Sequence, residues 1–264
     1  MATAAPVTPE NFLIGRVFST MFEAIGRNAA LYFGLALLIA GLPQAVFQYV
    51  VLQAMTMAPL TGDPDAVAAD LTGRLGLFGL GWLVILCFSA LLSTSLTRAT
   101  IEDLSGRRPQ FGECLSIAVS LLIPAICIGL LTAIGAALGM ILLIVPGIIL
   151  WLGWCVAVPV LVQERLGVFG SMGRSWALTR GSRWALFGLF LMIVILLWLA
   201  QIAFGLIGAL GVATGNPQLI LSITTGISSA VGAVLMTTGA AAAYIELKRV
   251  KEGTSVDELA QIFA

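Results

Sequence analysis

Histidine is absent from all 264 residues. The commonest general base and proton shuttle, and the commonest zinc ligand, are therefore missing. Charge is scarce too, at 10% of residues, against about 25% in soluble domains. The four cysteines, Cys87, Cys114, Cys127 and Cys155, have no CxxC spacing and lie in or beside apolar stretches. They are expected to pack as small hydrophobes, not to bind metal or exchange disulfides. No P-loop, HExxH or GxSxG motif occurs. No metal, cofactor or catalytic residue is expected, nor a nucleic-acid partner. The opening MATAAPVTPE has neither a basic n-region nor an apolar core, so no cleavable signal peptide is expected.

What the chain has instead is apolar length. Hydrophobic residues make up 59% and the mean hydropathy is +1.06. No charged side chain occurs between Arg183 and Glu246, nor between Glu113 and Glu164. Shorter charge-free blanks run from Arg27 to Asp63 and from Arg74 to Arg98. A bilayer crossing takes about 20 apolar residues. The two long blanks thus hold two crossings each and the two short ones hold one each. They are predicted near 29–52, 75–97, 122–143, 147–163, 184–213 and 218–247. The fold class expected is an all-α membrane protein with six transmembrane helices, one integral membrane domain over residues 1–264.

Twelve of the thirteen Lys and Arg residues fall in segments that six crossings place on one side; Arg74 alone falls on the other. Excess Lys and Arg marks the cytoplasmic face. Both termini are therefore expected inside, in a bacterial inner membrane, with 248–264 as a cytoplasmic tail. Pro43 should kink the first span. Pro146-Gly147 is the expected turn between the third and fourth spans, and Asn216-Pro217 the turn between the fifth and sixth.

Three segments in front of the span pairs have amphipathic character. In residues 10–27, Thr8-Pro9-Glu10 provides N-cap, N1 proline and an acidic first turn. Ile14, Val17, Phe18, Met21 and Ile25 then recur at helical spacing, with Arg16, Thr20, Glu23 and Arg27 opposite. Such a helix lies in the headgroup plane or packs on its own bundle; the first is the leading expectation. Residues 110–120 and 168–180 form the second and third segments, and Gly181 can cap the third. The resulting order, in-plane helix, span, span, suggests three helix-hairpin units, and the triplet FGL recurs at 33–35 and 187–189. After Leu247, Ser255 and Glu258 fit a capping box for a short tail helix.

No ionisable residue lies at the centre of any span, which removes the usual equipment of proton-coupled transport. Gln44, Gln48 and Gln201 remain, with the hydroxyls of the sixth span. They are expected to hydrogen-bond between helices, or alternatively to line a polar pathway. Gly135 and Gly139, and Gly205, Gly208 and Gly211, offer smooth faces for helix contact within one chain or between subunits. The densest charge lies between Glu164 and Arg183, where four arginines accompany Trp176 and Trp184. Acidic lipid attracts such groups by about 1 kcal/mol each.

The stretch from Pro146 to Arg183 resembles a recurring signature of bacterial membrane proteins. Matching positions are Pro146-Gly147-Ile148, Pro159, Glu164, Arg174-Ser175-Trp176 and Leu178-Thr179-Arg180-Gly181; GRRP at 106–109 and the ending Tyr244–Lys248 accompany them. It resembles the membrane domain attached to some glycerophosphodiester phosphodiesterases, and the YciC-like inner-membrane proteins. The resemblance implies a six-helix inner-membrane module linked to lipids or the envelope. It does not carry phosphodiesterase activity, which belongs to a separate barrel rich in histidine.

The function expected is a non-enzymatic inner-membrane protein that organises or senses lipid, or scaffolds partners, at the cytoplasmic leaflet. Arg16, Arg27, Arg174, Arg180 and Arg183 would touch phospholipid headgroups. The alternative is a transporter or channel for an uncharged or amphipathic solute, using Gln44, Gln48 and Gln201. Partners expected are membrane phospholipids and a second copy or another membrane protein.

Overall fold

A computed structural model describes residues 12–56, 64–210 and 216–252. The cap at 8–10, Asp63, Gly211 and the box at 255–258 lie outside these residues. All regular structure among them is helical. Six helices are long and apolar enough to cross a bilayer: Ala29–Thr56, Asp65–Leu104, Leu122–Leu142, Ile144–Glu164, Arg183–Ala209 and Pro217–Glu252. The chain is an all-α membrane protein. Its outer surface agrees with that environment, since Ile141 is 81% exposed and Trp82 68%. In water such a surface would drive aggregation.

The first span is helices α2 (Ala29–Ala36) and α3 (Leu42–Thr56), joined by a π-helical turn at Leu37–Gly41. Pro43 explains the turn. It has no N–H for the Ile39 carbonyl, and its ring crowds that carbonyl, so the ladder widens there. The widened turn also lies where this span crosses the sixth. A Cβ on Gly226 would overlap the Gly41 carbonyl oxygen, so only glycine permits the crossing.

The second span is one continuous helix, α4 (Pro64–Leu104). The third and fourth spans form a hairpin almost without a loop. Helix α6 (Leu122–Leu142) stops at Leu143, which is extended, and α7 (Ile144–Trp154) begins directly. The turn therefore precedes Pro146-Gly147. Pro146 occupies the first turn of α7, where a missing N–H has no intrahelical partner to lose. Gly139 and Gly147 are the close contact of the pair, and Gly135 receives the Trp154 ring. These glycines serve packing inside one chain, whereas Gly205 faces open space.

The fourth span breaks at Cys155–Val156 and resumes as α8 (Ala157–Glu164). Pro159 cannot donate to the carbonyl four residues back, which belongs to Cys155. The Gly153 carbonyl, also outside the helical ladder, accepts the Ser175 hydroxyl at 2.8 Å and Thr179 at 3.5 Å. Both come from α9 (Gly167–Thr179), whose Trp176 ring covers Gly153. A gap in one helix is thus satisfied by side chains of another, as a non-aqueous surrounding demands. The fifth and sixth spans are α10 (Arg183–Leu210) and α11 (Pro217–Glu252).

Helices α1 (Ile14–Arg27), α5 (Phe111–Ser120) and α9 each precede two spans, so the order in-plane helix, span, span recurs three times. Register supports the recurrence. Counting from the first residue of each leading span, the fourth and seventh positions are Tyr32 and Leu35, Ala125 and Ile128, and Leu186 and Leu189. All six are at most 3% exposed. The FGL triplets thus occupy the same turn of α2 and α10.

Helix α1 differs from the leading expectation. Val17, Met21, Ala24 and Ile25 are buried in the bundle, not presented to lipid. Met21 packs at Gly239 of α11 and Ile14 at Gly188 of α10. What remains outward are Leu13 and Phe22. A stripe of this width suits protein and lipid equally; the small residues opposite it decide for protein.

Candidate functional site

The polar groups of this molecule gather at the end of the bundle that carries α1, α5 and α9. Three glutamates end the second span of each unit: Glu102, Glu164 and Glu246. Each meets the in-plane helix of the following unit. Glu102, 6% exposed, pairs with Arg98 at 2.6 Å and lies 3.9 Å from the Cys114 sulfur in α5. Burial, with the Glu102 charge behind it, pushes the Cys114 thiol up to about 11. Glu164 accepts from Arg174 Nε of α9 at 3.1 Å and from the Tyr244 hydroxyl at 2.9 Å. Glu246, 5% exposed, pairs with Arg16 of α1 at 3.4 Å. The last contact returns from the third unit to the first, so the carboxylates close a ring.

These pairings decide what the five expected headgroup arginines are free to do. Arg16 is held by Glu246, and Arg174 by Glu164 and Glu252. Arg27 donates to Asp103 at 2.7 Å, while Asn28 holds the other carboxylate oxygen. That hydrogen bond and the Asp103 charge raise the Arg27 pKa above its ordinary value. Because Arg27 is half exposed, Asp103→Ala should lower stability by no more than about 1 kcal/mol in thermal unfolding in detergent.

Arg180 and Arg183 are placed differently. Arg180 is exposed at the turn after α9, where Gly181 takes a φ of +92°. The Arg183 guanidinium lies 4.0 Å from the Trp176 ring centroid, and its Nε has no hydrogen-bond partner. That Nε is buried, so stacking on the aromatic face leaves the two terminal amino groups of the guanidinium to donate. Lys251 joins them from α11: its Nζ lies 3.7 Å from where a Cβ on Gly181 would stand. Trp184, on the same turn, is 86% exposed. Three cations thus surround one turn, and no ion pair links them to a carboxylate among the described residues. Arg180 and Arg183 are candidates on sequence alone. Lys251 is not, because its approach depends on α11 folding back from the far end of the chain.

The glutamines are not gathered. Gln44 lines a cleft between spans, Gln48 is half-buried beside it on the same helix, and Gln201 is exposed on the outer face of α10. The cleft, about 310 Å³, lies among the first span, α4, α6, α8 and α11 and adjoins a second of about 330 Å³. Among the described residues no group of three His, Cys, Asp or Glu side chains is placed to hold a metal ion.

No protein-family model, curated protein or solved structure matches this chain. The ring of glutamates is not readable from sequence, although one trace of it is visible. Ile-Glu ends the second span of the first and third units, at 101–102 and 245–246.

Proposed function

We propose that this protein is a non-enzymatic component of a bacterial cytoplasmic membrane that gathers anionic phospholipid at the inner leaflet. The observation that carries the reading is the convergence of Arg180, Arg183 and Lys251 on the turn at Gly181, beside exposed Trp184. The first turn of α10, a 28-residue helix, opens at the same place and adds the positive end of its dipole. Arginine grips a phosphate with two parallel hydrogen bonds, and an interfacial tryptophan fixes the depth. The ring of carboxylates has another role, which is to tie α1 and α9 to the bundle by ion pairs and α5 by the Cys114 thiol contact. The resemblance to envelope-linked membrane modules fits a platform that organises lipid or partner proteins. A polar pathway through Gln44, Gln48 and Gln201 has less support, since Gln201 faces outward.

The test is native mass spectrometry of the chain released from phosphatidylglycerol-containing nanodiscs. Replacing Arg180, Arg183 and Lys251 together with Gln should reduce retained phosphatidylglycerol at least tenfold, from about 1 kcal/mol per lost charge. Arg27→Gln, which removes a charge already paired with Asp103, should leave retention as it is. Equal losses from both variants would show attraction to net charge alone, and no loss in the triple variant would remove the reading.

A further inference from the structure

The cleft among the first span, α4, α6, α8 and α11 carries a second and chemically different site. Its two chambers share Ser93, Gly129, Val158 and Thr237. No charged residue lines either chamber. Along α4 the wall runs from Ile85 to Thr97, about 18 Å at about 1.5 Å per residue. Ser89 and Gly129, on neighbouring helices, are exposed, so the mouth lies on the flank of the bundle between α4 and α6.

Two hydroxyls on this wall behave unlike their neighbours. Thr72, Thr94, Thr100, Thr224, Thr225 and Thr238 each donate to the carbonyl four residues back. That bond is the default for a threonine in an apolar helix. Thr97 and Thr132 do not make it. Their hydroxyl oxygens are buried and have no partner at all, and Thr97 is 1% exposed. Both line the same chamber, together with Cys155, whose carbonyl Pro159 leaves without its helical donor. Two unpaired donors and one acceptor thus border a mainly apolar chamber that Ser93 and Thr237 also line, and each unpaired group costs free energy until something pairs with it.

We infer that this cleft holds an uncharged lipid of the diacylglycerol type, with one chain along α4. Its free hydroxyl donates to the Cys155 carbonyl, and its ester oxygens accept from Thr97 and Thr132. A phospholipid is disfavoured because no cation on the wall could hold its phosphate. A water-soluble solute is disfavoured because the mouth opens on the apolar flank and the walls are mainly hydrocarbon. This site is distinct from the basic turn at Gly181: its groups are neutral, and none of Arg180, Arg183 and Lys251 lines either chamber.

Gly129 provides the decisive variant. It lines both chambers, and a Cβ built on it meets nothing within 4 Å. A side chain there fills the cleft without disturbing a packed contact. The full chain is reconstituted in phosphatidylcholine nanodiscs with diazirine-tagged diacylglycerol, or with equally tagged phosphatidylglycerol. After irradiation the adducts are mapped by peptide mass spectrometry. Diacylglycerol adducts are expected on residues 85–97 and 125–133, displaced by untagged diacylglycerol and several-fold rarer with the phosphatidylglycerol probe. Gly129→Leu should reduce them at least tenfold with an unchanged thermal midpoint. Gly129→Ala gives a partial loss, and serves if the larger variant does not assemble. Thr97→Val with Thr132→Val, which preserves shape, should reduce adducts about threefold to tenfold. Absent adducts, equal labelling by the phosphatidylglycerol probe, or full labelling of the Gly129 variants would overturn the inference.

Discussion

Gly147→Ala is expected to lower stability by roughly 3 kcal/mol or more, measured as the loss of folded protein on heating in mild detergent. A Cβ at this position would overlap Met140 Cγ and stand 2.6 Å from Met140 N and 2.9 Å from Met140 Cα. The side-chain atom could rotate away; the two backbone atoms cannot. Relief requires α6 and α7 to move apart along their contact, which uncovers Gly139 and loosens the hairpin from its turn at Leu143. Gly205→Ala is the matched control, since a Cβ there meets nothing within 4 Å. By helix propensity alone it should be neutral or stabilising by up to about 1 kcal/mol. Comparable behaviour of the two variants would mean that the hairpin is not as close as described.

The contrast between these glycines shows where sequence reasoning reaches its limit. Gly139, which meets Gly147, and Gly205 both stand in apolar helices at spacings that suit close packing, and nothing local tells which of them is in contact. The spans themselves are legible because a charge-free stretch measures bilayer thickness directly. The predicted third span, 122–143, and the observed Leu122–Leu142 differ only at the last position. Proline is legible as a perturbation but not in its outcome. Pro43 yields a π-turn upstream, Pro159 a full break, and Pro146 no disturbance at all. The difference lies in position within the helix, which spares Pro146 in its first turn, and in what neighbouring helices offer to carbonyls left outside the ladder. At Gly153 the hydroxyls of α9 take the role, and α9 is joined to α8 by a reversal at Arg165, whose φ is +50°.

Legibility is poorest for the arginines. Their number on one side is a topological signal, which says nothing about which of them find carboxylates. Arg16 pairs with Glu246 from the opposite end of the described chain, and Arg27 with Asp103 beyond the whole first hairpin. Both are thereby committed to joining helices. The stripe of α1 misleads for the same reason: it is complementary to Gly188 and Gly239, which the chain supplies only in its last third. The three-unit pattern offers a route to this result. If every second span ends in a glutamate facing the next in-plane helix, then the third unit must return to the first.

The strongest link in that ring is predicted at Glu164. It accepts from the Arg174 guanidinium and from the Tyr244 hydroxyl, and Tyr244 is 1% exposed. Glu164→Ala leaves a phenol buried without an acceptor, and removes one of two carboxylates from Arg174, which keeps Glu252. Arg174 is a third exposed, so water recovers part of its loss, and the expected cost is about 2–3 kcal/mol. Tyr244→Phe deletes only the donor and should cost about 1 kcal/mol. Combining the two changes should cost less than their sum by about 1 kcal/mol, because the orphaned phenol of the first variant no longer exists. The decisive measurement is this double-mutant cycle, run as equilibrium unfolding in mixed detergent micelles. Strict additivity would show that Tyr244 and Glu164 are neighbours without being partners. The platform would then rest on apolar packing of α9 against Gly153, and the ring would contribute register instead of stability.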